Sequence, residues 1–348
     1  MAIENPRLRT PLRFRGAPGS PYTRKMLAYL RYRRIRYEFL IANQADAMGL
    51  PRPKVELLPT FYLPNDRNEL EAVVDSTPLI RRFEAEFEGR ATIPPEPTLA
   101  FLNYLIEDYA DEWLTKAMFH YRWRYEADID KAAAILPRWR ALNASADALA
   151  RASKFVAERQ IARLYVVGSN DVTTPVIEDS YRRFLRIFDD AIQQRTFVFG
   201  ERPSSADFGI YAQLTQLAKF DPTPSAICLA AAPRVLAWTD IVDDLSGHPG
   251  DAVKWASPDA TLPPLSELLA EIGRVYAPAL LANAKALNNG DERFETTIDG
   301  RTWTQPTFPY QGKCLQWLND EYRKLDAGPR REVDAVLAGT GCEALLSR

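Results

Sequence analysis

Residues that ligate metals or carry redox chemistry are scarce in this sequence, with three cysteines, two histidines and four methionines among 348 residues. Cys228, Cys314 and Cys342 are too few and too scattered for a disulfide framework, which implies a reducing, cytoplasmic setting. With only His120 and His248 and no Cys/His cluster, no dedicated metal site is expected. No apolar run approaches the roughly 18 residues of a membrane span. The opening MAIENPRLRT has no apolar signal region. An excess of one charge is missing too: 44 basic against 46 acidic residues give a net charge of -2. That balance leaves no electrostatic footprint for nucleic acid or an anionic membrane. Residues 24–38 carry six Lys/Arg, but Met26, Leu27, Leu30 and Ile35 lie beneath them at helical spacing, so the stretch reads as a solvated basic face.

What is present is apolar mass, 46% hydrophobic with 26% charged, enough to bury the interior of two or three modules. The first 92 residues read as α/β. PLRFRG (11–16) is a short strand ending at glycine, 21–34 a helix, and IRYEFLIA (35–42) a strand rich in Ile, Tyr and Phe. PTFYLPNDRNELEAVVD forms two β-rich runs around Pro64, Asn65 and Asp66, and STPLIRRFEAEFEGR returns to helical spacing before Gly89. The proline-rich IPPEP (93–97) marks a joint. A helical module is expected over 97–247, including PSSAD, where Ser204 and Asp207 have capping-box spacing ahead of Phe208. From 248 the composition shifts. HPGDAVKWASPDATLPP reads as a linker, 264–287 as helix, RFETTIDGRTWTQ as a hairpin turning on Asp299-Gly300, and 310–346 as helix interrupted at 328–330.

Three short segments carry a resemblance to the cytosolic glutathione transferases. SPYTRK (20–25) resembles that family's opening of the first helix, LPT (58–60) its segment with a cis-proline, and VVDSTPLIRRFE (73–84) its acidic-Ser signature, spaced roughly 40 and then 17 residues apart. FVFGERPSSADFGIYAQL resembles the family's late core helix. The resemblance covers 11 to about 245. It implies a thioredoxin-like glutathione-binding domain (1–92) and an all-helical domain (97–247), with residues 248–348 as an added helix-and-hairpin extension. It also implies a homodimer.

Glutathione as co-substrate follows from the same resemblance. Asp75 and Ser76 would hold the γ-glutamyl group at a helix N-terminus, and Leu58 before cis-Pro59 would pair with the cysteinyl backbone as an added strand does. Ser20 aligns with the position that activates the thiol, with Tyr22 as the next donor. As residues alone, Ser20 before Pro21 and Asp75-Ser76 before Pro78 are also ordinary helix caps. A thiol of pKa ~8.5 lowered by about two units needs roughly 2.7 kcal/mol of anion stabilisation. One hydrogen bond to a charged group (about 1.5–3 kcal/mol) plus a helix N-terminus (about 0.3–1) supplies it. Without cysteine at position 20, mixed-disulfide chemistry is disfavoured and conjugation to an apolar electrophile fits better. A cysteine-type activity would need Cys228 or Cys314 in the cleft. The family's Lys or Gln before the X-Pro pair is replaced by Leu57, leaving Arg52, Lys54 or Gln44 for the glycine carboxylate. Tyr104, Tyr109, Trp113 and Phe119 could line the electrophile pocket, although such a stripe is as readily core. The alternative function is a non-catalytic ligand- or partner-binding module on the same fold.

Overall fold

The computed structural model describes residue 8 and residues 10–346; most of the stretch read as lacking a signal region lies outside the described residues. Strand β1 (Leu12–Arg15) alternates, burying Leu12 and Phe14 while Arg13 and Arg15 point away from the core. Helix α1 (Pro21–Arg33) follows, with Ser20 as its cap, and ends on Arg34 in the left-handed region at φ 55°. Strand β2 (Tyr37–Leu40) lies parallel to β1. After one short turn, α2 (Gln44–Ala47), and an irregular loop, β3 (Thr60–Pro64) and β4 (Leu70–Val73) form an antiparallel pair. Helix α3 (Ser76–Glu86) closes the module. The sheet order is β2-β1-β3-β4. One face joins the main core through Phe14, Phe61 and Leu63; the other covers only Leu40, Ala45 and Tyr62.

The basic stretch is solvated only in part: Arg34 and Arg36 are exposed, but two of its six cations are buried. Lys25 is 0% and Arg33 2% exposed, because α1 lies between the sheet and the helical body and each buried cation meets acids there. Arg31 and Arg34 donate to the carbonyls of Asp243 and Ser246.

The helical body begins with α4 (Pro97–Tyr109), which runs through a widened π turn (110–114) into α5 (Thr115–Arg124). Helices α6 (Glu126–Arg140) and α7 (Ala146–Ile161) pack as a hairpin, and α8 (Thr174–Gln194) buries an apolar stripe from Val176 to Phe188. The central helix α9 (Ser205–Leu214) is buried all round and starts on the Ser204/Asp207 capping box. Helices α10 (Pro222–Ala231) and α11 (Pro233–Val242) complete this part. Among the described residues no single helix is long and apolar enough to cross a membrane.

The supposed linker is partly a helix. α12 (Pro258–Glu271) starts on the Ser257 cap with Pro258 at its first position and takes in Pro263 and Pro264. Its inward residues Leu265, Leu268 and Leu269 are buried, and that burial outweighs the hydrogen bonds the prolines remove. α13 (Ala277–Asn289), the hairpin β5 (Arg293–Ile298) and β6 (Arg301–Pro306), α14 (Pro309–Arg323) and α15 (Ala327–Leu337) follow. Asp299 and Gly300 turn the hairpin at φ 52° and 73°. The extension shares one hydrophobic core with the rest of the chain. Trp303 stacks near Trp113 (5.2 Å), Tyr276 donates to Asp108 (2.6 Å), and Thr98 donates to Glu332 (2.7 Å).

Candidate functional site

Strand register gathers three segments at one end of the sheet. Arg15 faces Thr60 and Phe61 faces Val73, so continuing each antiparallel ladder puts Gly16 and Asp75 on either side of Pro59. The Leu58–Pro59 peptide is cis. The Ser20 hydroxyl accepts from the Thr23 N–H (3.2 Å), as a helix cap does, and donates to the Leu58 carbonyl (3.3 Å). Ser20 therefore meets Leu58 directly, beside Pro59 in the chain, and is half-buried at the opening of α1.

Asp75 has φ 82° and makes no side-chain bond to its own helix, while Ser76 behind it is 4% exposed. The Asp75 carboxylate instead accepts a hydrogen bond from Tyr310 of the extension (2.6 Å). Arg52 and Lys54 are exposed in the loop before Leu58; Arg52 pairs loosely with Asp46 (3.6 Å), and Gln44 caps the Ile41 N–H. Glu56 ties that loop to β1 through Arg15 (2.6 Å). The Tyr22 hydroxyl points elsewhere, donating to the Asp111 carbonyl (2.8 Å) across the contact with the helical body. Burial, then the charges of Glu112 and Asp111, hold its phenol well above its ordinary pKa.

Beneath the site lies a buried charge network. Lys25 of α1 pairs with Glu107 (2.7 Å) and Asp111 (2.5 Å), and Arg81 and Ser205 also reach Glu107 (3.3 and 2.6 Å). Burial alone would push the Lys25 ammonium down, but Asp111 and Glu107 overcome it and hold the pKa up. One residue on from each of these acids, Asp108 and Glu112 face the extension. Burial pushes the Asp108 carboxyl up to about 7 and raises that of Glu112 as well, with neighbouring acids adding to the effect. Lys25 stands inside the SPYTRK motif, and the acids pair at i, i+4 in an otherwise apolar helix; that pairing is the signal that could have revealed the network.

The candidate pocket aromatics Tyr104, Tyr109 and Trp113 are core, at most 9% exposed, and Phe119 is half-buried against that core. All three cysteines are buried. Cys314 lies near Asp75 and Glu112, but burial and then the surrounding acids push its thiol far up, the opposite of an activated nucleophile.

A β2-β1-β3-β4 sheet with this helix order, followed by a helical body whose core helix opens on a capping box, is the glutathione transferase architecture, here with an added hairpin and helices. The family model "Glutathione S-transferase, N-terminal domain" matches residues 14–91, nearly the whole of the N-terminal sheet and its helices. Among solved structures, a glutathione transferase family member from Pseudomonas fluorescens pf-5, with two glutathione bound, is 13% identical, covering 67% of this chain and 92% of its own (TM-score 0.41). A glutathione transferase from Burkholderia graminis is 12% identical over 69% and 89% (TM-score 0.42). The Tau class enzyme from mango, Mangifera indica, is 15% identical over 66% and 87% (TM-score 0.38). No curated protein matches the chain.

Proposed function

We propose that the protein binds glutathione and uses Ser20 to stabilise its thiolate for transfer to an apolar electrophile. The observation that carries this reading is the position of the Ser20 hydroxyl, at the start of α1 and 3.3 Å from the carbonyl of Leu58 beside cis-Pro59. In the free protein that carbonyl accepts a hydrogen bond from the hydroxyl. A cysteinyl N–H pairing with Leu58 would supply the carbonyl with a new donor and release the hydroxyl toward the incoming sulfur. The hydroxyl and the helix N-terminus together can then supply the roughly 2.7 kcal/mol that two pKa units require. Ser76 and the N–H groups of α3 hold the γ-glutamyl carboxylate, Asp75 its ammonium, and Arg52 or Lys54 the glycine carboxylate.

Calorimetric titration with glutathione, followed by a panel of electrophiles, tests the proposal. Binding with turnover is expected, and absence of both would discard it. A non-catalytic binding role is the second reading, favoured by the Ser20 proton being already engaged on Leu58; binding without turnover would select it. The homodimer implied by the resemblance would have to avoid the faces of α4 and α8 that α12, α14 and α15 cover, and sedimentation velocity will show whether it forms.

A further inference from the structure

We propose that the extension completes the γ-glutamyl end of the glutathione site, with Tyr310 as a positioning residue that aims the Asp75 carboxylate at the ligand's ammonium. This rests on the reading that glutathione binds between Ser20 and Ser76.

Tyr310 stands in the first turn of α14, and its hydroxyl donates to Asp75 Oδ2 at 2.6 Å. Burial and the charges of Asp75 and Glu112 hold that phenol well above its ordinary pKa, so it acts as the donor. Its ring is held edge-on by Trp317 at 5.9 Å. The next residue, Gln311, donates to the Glu112 carbonyl and carboxylate (3.3 and 3.2 Å), which fixes the start of α14 to the same helical turn whose Asp111 pairs with Lys25. Asp75 thus has one oxygen pinned from the extension. Among the described residues its other oxygen has no partner, and its side chain leaves the N–H groups of α3 uncapped.

A carboxylate held through one oxygen by a neutral donor keeps its charge and presents the second oxygen in a fixed direction, which suits an ammonium. The uncapped N–H groups of α3 beside it suit the α-carboxylate of the same amino-acid head. Recognition of a free amino-acid head therefore depends on a residue 235 positions away in sequence.

The test compares glutathione with its deaminated analogue, glutaryl-cysteinylglycine, by calorimetry on the full-length protein. Wild type should prefer glutathione. Tyr310→Phe, which keeps the ring packing, should weaken glutathione about 5- to 10-fold and leave the analogue unchanged. Asp75→Asn should abolish the preference and make Tyr310→Phe silent in the double variant. A variant that folds, binds glutathione and keeps the wild-type preference overturns this inference alone, as does one that binds glutathione more tightly, which would make α14 an obstructing strap. Wild type that binds neither ligand overturns the glutathione reading itself.

Discussion

Arg122 donates to the carbonyl of Gly19 at 3.1 Å while its remaining nitrogens bracket the carboxylate of Asp221, so the helical body holds the loop that presents Ser20. Gln216 adds a second tether, to the Pro18 carbonyl (3.3 Å). A Cβ at Gly19 would lie 2.2 Å from the Leu136 side chain, so a larger residue there would have to push that side chain aside. The Ser20 end of α1 is therefore set by the body as much as by its own strand.

Arg122→Ala leaves Asp221, which is 0% exposed, as a buried charge without its partner. A loss of about 3–5 kcal/mol is expected, read from the urea unfolding midpoint. Arg122→Lys keeps the charge but not the fork, and should recover only part of that loss.

Ser20→Ala removes both the helix cap and the hydroxyl. Stability should fall by about 1 kcal/mol. Turnover should fall roughly 10- to 150-fold, the equivalent of one hydrogen bond to an anion, with glutathione affinity little changed. Ultraviolet titration of the bound thiolate should show its pKa rising in the variant. An unchanged thiol pKa would remove Ser20 from the chemistry.

Truncation after Gly247 should not yield a folded two-module protein. It strips Tyr276 from Asp108, Gln311 from Glu112 and Gln305 from Lys116, leaving buried polar groups without partners, and it uncovers Trp113. Loss of the cooperative thermal transition, checked by near-ultraviolet circular dichroism, is the expected result. A sharp transition near the full-length temperature would contradict the shared core.

Asp108 gives a pH signature of known sign. Its carboxyl stands at about 7 when folded, against ~3.9 in an unfolded chain. Between those values the folded state binds the extra proton, so this group's stabilisation is lost as pH rises, by up to about 1.4 kcal/mol per pH unit. His120, which burial holds down to about 4, acts in the opposite direction from there to its ordinary value of 6.5. The readout is accordingly the difference between wild type and Asp108→Asn, whose relative stability should climb as pH rises from about 4 to 7. A flat difference would place Asp108 in a more solvated setting than the structure gives it.

The N-terminal module and the extension's hairpin were legible because their signals are local: Ser20-Pro21 caps a helix, Asp75-Ser76 opens another, and Asp299-Gly300 turns the hairpin. Signals that depend on distant chain were not. Lys25 and Arg33 look like surface residues until Glu107, Asp111 and Glu84 are brought to them from other helices. Pro263 and Pro264 read as breakers because local propensity cannot register the burial of Leu265 and Leu268. Tyr310 carries no motif at all; only the packing of α14 against α4 puts its hydroxyl on Asp75.

That last contact gives the order of synthesis a meaning. A ribosome-bound chain acquires Ser20, Pro59 and Ser76 early, yet the phenol that steadies Asp75 emerges 235 residues after it. Because the tail also closes the shared core, a nascent chain would complete its helical body and steady Asp75 at the same late moment. Under the proposed reading of the site, cutting the tail would then cost the fold and the ammonium end of the site together.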